Sequence, residues 1–328
     1  MSKQQTEILE FSFDELEPVN DRREILNYLQ CTFNGKWFEP PVSLQTLANT
    51  FSASPYHSSP IYVKRNILTG SFISHKYLST QSFSRLVLDY LSLGNCYLEN
   101  KVSVMNTQLG LDPILAKYTR RGEDLEQYYF LTQDYQEHEF KKGKVWHLLG
   151  HDINQEIYGV PEYLAAINAI WLDKAATTFR RRYYINGSHA GFILYLSNPT
   201  HNEKDIESLK QSLKQSRGPG NFRNLVVYSP NGKPEGLKLI PIGEVAAKDN
   251  FGDIKSVSRD DILTAHRVPP SLMGVIPRNA GGVGDPEKAS KVFYENEIQP
   301  LQEQFRSLND WLGIEVIRFK EPNLLNIN

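Results

Sequence analysis

VPEYLAAINAIWLDKAATTFRRRYYING, residues 160–187, is the stretch whose reading decides the fold. Apolar and near-apolar side chains recur at Tyr163, Leu164, Ile167, Ile170, Trp171, Ala175, Thr178 and Phe179, the spacing of one helical face. That spacing predicts a single amphipathic helix of about 25 residues over 160–185. Pro161 and Glu162 suit its first turn, where a missing N–H costs nothing and negative charge meets the helix dipole. Arg180, Arg181 and Arg182 fall in the last turns, where positive charge is favoured, and Asn186-Gly187 closes the helix.

Downstream, residues 191–242 read as a small α/β insertion. GFILYL is strand-like, Thr200 to Glu203 has capping-box spacing, and Ile206, Leu209 and Leu213 face one side of a helix. LVVY and LKLIPI are two further strands around a turn at Pro230-Asn231-Gly232-Lys233. A second long helix follows over 243–268, with Phe251, Ile254, Val257, Ile262, Ala265 and Val268 as its stripe. The segment PPSLMGVIPRNAGGVGDPEK is too rich in glycine and proline for regular structure. A third helix carries Tyr294, Ile298, Leu301, Phe305, Leu308 and Leu312, with Pro300 expected to bend it, and IEVIRF then reads as a strand.

Upstream, Leu44, Leu47 and Phe51 fit a short helix that Pro55 and Pro60 are expected to break. Phe83, Leu86, Val87, Tyr90 and Leu91 share a helical face that Gly94-Asn95 ends, and CYLENKVSV then alternates as a strand does. Tyr128 to Leu131 and Val145 to Leu149 are strand-like. The fold class is α+β: a mixed module over 1–157, then long helix, small insertion, long helix, glycine-rich loop and long helix.

Composition bounds the function. Of 328 residues, 40% are hydrophobic and 23% charged, the balance of a folded chain. No apolar run approaches the ~20 residues that cross a bilayer. MSKQQTEILEF lacks the basic start and apolar core of a secretory signal, so the protein is expected to stay where it is made. Its first twenty residues form an acidic arm. Net charge is −2, which argues against a tight, sequence-reading DNA binder but permits a conduit through which DNA slides. Cys31 and Cys96 form no CxxC pair and are expected to be unbridged thiols.

Catalytic and metal motifs fail on inspection. Gly281, Gly282, Val283 and Gly284 lack the lysine and hydroxyl spacing of a phosphate loop, since Lys288 is followed by Ala289. His147 and His151 are four apart, yet Leu148 stands where a zincin needs glutamate. His189 and His266 are isolated, and Asp260-Asp261 fits a solvated helix turn. No cofactor or metal is expected, nor catalysis. The basic cluster Arg180, Arg181 and Arg182, beside Tyr183 and Tyr184, suits either a phosphate backbone or salt bridges between subunits.

Four segments carry a family resemblance: GNCYLE at 94–99, QEIYGVPEYLAAINAIWLDKAATTFRRRYYINGSHAGFIL at 155–194, GPGNFRNLVVYSPNGK at 218–233, and IPIGEVAAKDNFGDIKSVSRDDILTAHRVPPSLMGVIP at 240–277. The last ends in the VPPxLMG signature. Together they resemble the PBSX-type branch of phage portal proteins, over most of residues 60–310. The resemblance implies a homo-oligomeric ring, usually a dodecamer, at one capsid vertex of the virion, assembled in the bacterial host cytoplasm. It implies a wing (1–157 with 288–328), stem helices (158–186 and 243–268), a clip (187–242) and a tunnel loop (269–287). Implied partners are the major capsid protein, the terminase large subunit, a head–tail connector and sequence-independent double-stranded DNA, with no membrane. Arg278, Asn279, Gly281, Gly282 and Lys288 are then the candidate DNA contacts of the tunnel loop. Little chain follows Leu312, so a large crown domain is not expected. A smaller head–tail adaptor ring, or an enzyme acting on DNA, are the competing readings.

Overall fold

The computed structural model describes residues 31–105, 107–132, 136–185, 192–196, 237–241, 247–273 and 285–321. The acidic arm, most of the 187–242 insertion (with its expected helix, LVVY strand and turn), Asn186-Gly187, His189 and residues 274–284 lie outside them.

The described residues begin with β1 (Trp37–Phe38) and α1 (Leu44–Phe51), whose first turn is capped by the Ser43 hydroxyl accepting from the Thr46 N–H. The short helix does end before Pro55, at Phe51, but Pro60 breaks nothing: a second helix, α2, runs Pro55–Ser71. Pro55 holds the first helical position, where its lost N–H has no partner anyway, and Ser54 caps the turn by accepting from Tyr56 N–H. Pro60 does cost a hydrogen bond inside the helix. The buried stripe of His57, Ile61, Lys64 and Leu68 outweighs it. Helix α3 (Thr80–Leu93) follows the sequence reading and ends on Gly94 at φ +70°, whose N–H donates to Tyr90 O at 2.8 Å.

Six strands come next: β2 (Asn95–Val102), β3 (Gln108–Ile114), β4 (Thr119–Gly122), β5 (Tyr128–Leu131), β6 (Glu137–Glu139) and β7 (Val145–Leu149). They form two antiparallel sheets, ordered β3–β2–β7 and β1–β4–β5–β6. The predicted long helix is two pieces, a 3₁₀ segment Glu162–Ala166 and then α4 (Ile167–Ile185). Strands β8 (Phe192–Leu196) and β9 (Leu237–Pro241) pair antiparallel, Phe192 opposite Pro241. Helix α5 (Ala247–His266) ends two residues before the predicted boundary, because Arg267 turns into the left-handed region at φ +54°.

The proline- and glycine-rich segment is not wholly irregular. Pro270–Met273 forms a 3₁₀ turn, and α6 (Pro286–Phe293) starts inside it, where the Asp285 carboxylate accepts from the N–H groups of Glu287 and Lys288. A π turn, Tyr294–Ile298, leads straight into α7 (Gln299–Leu312), so Pro300 sits at the second position of the α-helical part. IEVIRF is extended and, among the described residues, forms one bridge, Phe72 to Phe319. It is held instead by Asn309, whose side chain accepts from Val316 and Ile317 N–H and donates to Ile317 O.

The main core lies between α2, α3, β2 and α7. Phe72, Phe83, Leu86, Leu98, Phe305 and Leu308 are buried there, with Phe72 stacked on Phe83 at 4.2 Å. Burying each such ring contributes on the order of 2 kcal/mol. A second core, with Leu47, Tyr97, Tyr128 and Ile167, fills the space between α1, the sheets and the start of α4. Both cysteines are unbridged. Among the described residues no helix is long and apolar enough to cross a membrane.

Candidate functional site: the helix pair and its root

The antiparallel pair α4 and α5 is anchored where the chain leaves the sheets. Three glycines meet there. Gly150 N–H donates to Gly94 O at 2.7 Å, and Val160 N–H donates to Gly150 O at 3.0 Å. Asn95 clasps the same point, accepting from Gly159 N–H at 2.7 Å and donating to Gly159 O at 2.8 Å. A Cβ on Gly159 would stand 1.9 Å from Gly94 O and 2.4 Å from Gly150 N, so backbone meets backbone with no room for a side chain.

A step further along, charged groups from four elements converge. Lys64 of α2 is nearly enclosed and places Nζ 2.8 Å from Glu297 Oε2 and 3.6 Å from Glu162 Oε2. Arg267 reaches the same two carboxylates, at 3.2 Å and 3.5 Å. Two cations and two anions thus tie the start of α4 and the end of α5 to α2 and the π turn. The left-handed backbone of Arg267 costs about 1 kcal/mol or more, and the two ion pairs hold it there.

Behind this cluster His57 Nδ1 and His266 Nε2 share a hydrogen bond at 2.9 Å. The Tyr163 ring lies 4.2 Å from the His57 ring and 5.5 Å from that of His266. Burial pulls the His57 pKa down to about 4. Burial first, then the neighbouring His57 and Lys64, pull His266 down to about 2. Both imidazoles are therefore neutral at physiological pH, one donating and the other accepting.

Between the helices, Asp173 is 1% exposed, accepts from Ser54 Oγ at 2.8 Å and lies 3.0 Å from Lys255 Nζ. Lys255 also donates to Thr177 Oγ1 at 2.8 Å. Ile170 and Ile262 close the contact beneath them. The predicted stripes therefore hold only near the root. Ala175, Thr178, Phe179 and Val257 are exposed, and Asp173, Ala176 and Ser258 occupy the buried positions. Helical spacing identifies an apolar residue's face, not whether a neighbour covers it.

The other candidate residues are spread out. Arg180, Arg181 and Arg182 are exposed at the far end of α4. Lys288 lies in the first turn of α6, exposed and 3.4 Å from Asp285. Arg278, Asn279, Gly281 and Gly282 lie outside the described residues. His147 sits in β7, stacked on Tyr97 at 4.2 Å and bonded to Asn95 at 3.0 Å, while His151 is exposed. Burial, and to a lesser degree Arg121, hold His147 well below its usual pKa. Asp260 and Asp261 are exposed, the former paired with Arg259. Among the described residues no three histidine, cysteine or carboxylate side chains are grouped as metal ligands.

Sequence reasoning missed His57, Lys64, Asp173, Lys255, Arg267 and Glu297. One signal was present: Lys64 lies three residues after Ile61 and four before Leu68, so a helix there puts a lysine on the apolar face. That placement demands a buried anion.

Residues 75–327 match the family described as phage portal protein. The sequence is 51% identical over 314 residues to a probable portal protein of Escherichia phage P2, covering 96% of this chain and 91% of that one. It is 33% identical to a probable portal protein of Haemophilus phage HP1, covering 88% of each. The fold is similar to an HK97-family phage portal protein from Corynebacterium diphtheriae, with a TM-score of 0.62 and 13% identity over 87% of this chain and 98% of that one. It is also similar to a chain in the neck of a native gene transfer agent particle computed with C12 symmetry, with a TM-score of 0.62 and 18% identity over 88% and 87%.

Proposed function

This chain belongs to the phage portal protein family, and from that premise we propose that it works as a ring at the capsid vertex of a tailed phage. Twelve copies surround a channel, matching the symmetry of the neck that its structural neighbour comes from. The channel takes DNA in during packaging and releases it at ejection. The observation that supports this best is the antiparallel pair α4 and α5, rooted in glycine contacts and buried ion pairs. Such a pair is a stiff lever on a mixed body, suited to lining a passage rather than to chemistry.

In this reading residues 1–157 and 288–328 form the wing, 158–186 and 243–268 the stem, 187–242 the clip and 269–287 the tunnel loop. The clip faces the terminase and later the head–tail connector, while the wing meets the major capsid protein. A separate ATP-driven terminase supplies the work, so the chain itself is not a catalyst. Arg278, Asn279 and Lys288 touch phosphates without reading bases. Light scattering and negative-stain imaging of the purified protein test the ring: about a dozen copies with an axial hole are expected. A protein that stays monomeric or dimeric, and is absent from the vertex in particles, would overturn it. Alanine at Arg278, Asn279 and Lys288 is expected to weaken DNA retention and leave rings intact.

A further inference from the structure

The β3–β2–β7 sheet is not three strands wide along its whole length. Strand β7 pairs with β2 from Asn95 to Glu99, whereas β3 pairs with β2 from Tyr97 to Val102. Beyond Asn100, whose N–H donates to Lys144 O at 2.8 Å, β2 and β3 continue alone as a two-stranded ribbon. Its tip is closed by Ser103 N–H donating to Thr107 O at 2.8 Å and Thr107 N–H donating to the Ser103 hydroxyl at 3.1 Å. Asn95, at the other end of β2, clasps the root of the helix pair at Gly159. Measured along the strand, the tip therefore stands about 25 Å from that root.

This tip is apolar, where a free ribbon is normally guarded by charge. Val104 is fully exposed, Met105 is 90% and Leu109 64% exposed, and none of the three enters a core. Among the described residues, Val104, Met105 and Ile153 are the most exposed large apolar side chains. From Val102 to Leu111 the sequence has no charged residue, and the flanking Lys101 and Asp112 pair with each other. A two-stranded ribbon is marginal in water by itself. Uncovered apolar side chains at its end add nothing to folding and mark an interaction site. The lack of lysine and arginine argues against a phosphate backbone as the cover.

Symmetry selects the partner. In the ring proposed above every junction between copies is identical, so such junctions can use directed bonds. A capsid vertex has fivefold symmetry, and a ring of twelve shares no rotation with it. Each copy therefore meets the shell in a different orientation, and a hydrogen bond fitted to one copy fails for the next. Apolar contact has no direction, and methionine adapts to irregular surfaces. A ribbon held by no third strand can also tilt to follow the shell.

We infer that Val104, Met105 and Leu109 at the β2–β3 tip are the contact by which each copy grips an apolar groove of the capsid protein at the vertex. This rests on the ring reading above and deepens it, by naming the part of the wing that meets the shell.

The test is a variant carrying Val104→Ser, Met105→Ser and Leu109→Ser, made alone and together with the capsid proteins of the same phage. Alone, it is expected to form the rings seen for wild type, with an unchanged urea midpoint. In assembled shells its content per particle is expected to fall about tenfold or more. The swap Val104→Ile, Met105→Leu and Leu109→Met changes shape without polarity and is expected to keep most of the wild-type content. Wild-type content for the serine variant overturns the contact and leaves the ring reading intact, even if those shells then fail to package DNA. Loss of rings by the serine variant assigns the tip to a neighbouring copy and overturns the contact as well. A swap variant as deficient as the serine one shows a shape-specific bond and sinks the mismatch-tolerant contact. If wild type forms no ring, both readings fall. Should the triple serine variant shift the urea midpoint, Met105→Ser alone carries the same test.

Discussion

The core between α3 and α7 and the root of the helix pair are both buried, yet they are held by different physics. Phe83, Leu86, Phe305 and Leu308 are held by area and shape, and rings and methyls meet without direction. At the root, Lys64, Glu297, Arg267, His57 and His266 are held by named partners at hydrogen-bond distance, and the glycine contact tolerates no added atom. A core of the first kind yields a little to many changes. A joint of the second kind ignores most and fails on a few, the behaviour wanted where two long helices keep a set angle to the body.

The sharpest way to break the joint is Gly159→Ala. Its Cβ would overlap Gly94 O, so about 5 kcal/mol or more is expected to be lost, or no soluble protein recovered. The comparison is Gly70→Ala in α2, where an added Cβ meets nothing within 4 Å and up to about 1 kcal/mol should be gained. Urea midpoints of the two variants decide it.

Next in size is Lys64→Met, expected to cost about 3 kcal/mol because Glu297 keeps its charge without its closest partner. The double variant Lys64→Met with Glu297→Met should lose less than the single one, a sign that a sum of independent contacts cannot produce.

Acid is a third probe. His57 and His266 have folded pKa values below their unfolded ones, so the unfolded chain takes up protons first as pH falls. The stability they contribute is whole above about pH 6.5 and drains away toward pH 4, by about 3 kcal/mol for His57. Urea midpoints at pH 7, 5.5 and 4.5 should fall less steeply in His57→Gln than in wild type. Equal slopes would show that the buried pair does not govern acid sensitivity. Smallest is Phe305→Leu in the apolar core, expected to cost about 1 kcal/mol and to leave ring mass unchanged.

These contrasts follow how legible each region was. Helix α3, its stop at Gly94, and strands β2, β5 and β7 were readable because a period and a glycine are local signals. Helix α2 was hidden behind Pro55 and Pro60, since a proline at a first helical position looks in sequence like one that breaks a helix. The exposed Ala175, Phe179 and Val257 were assigned to the buried stripes, because periodicity is the same whether the cover is this chain or another. His266 stood out in the sequence but without a partner, which lies 209 residues away at His57.

By itself the sequence determined helix α3 with its stop at Gly94, strands β2, β5 and β7 and, through four matching segments, the family. Those properties reside in neighbouring residues and their spacing. Only the tertiary structure decided that Gly94, Gly150 and Gly159 touch, that Lys64 finds Glu297, and that Ala175, Phe179 and Val257 are exposed. Contacts between residues far apart in the chain depend on how elements pack, and packing is settled by shape and burial together, which no local pattern records.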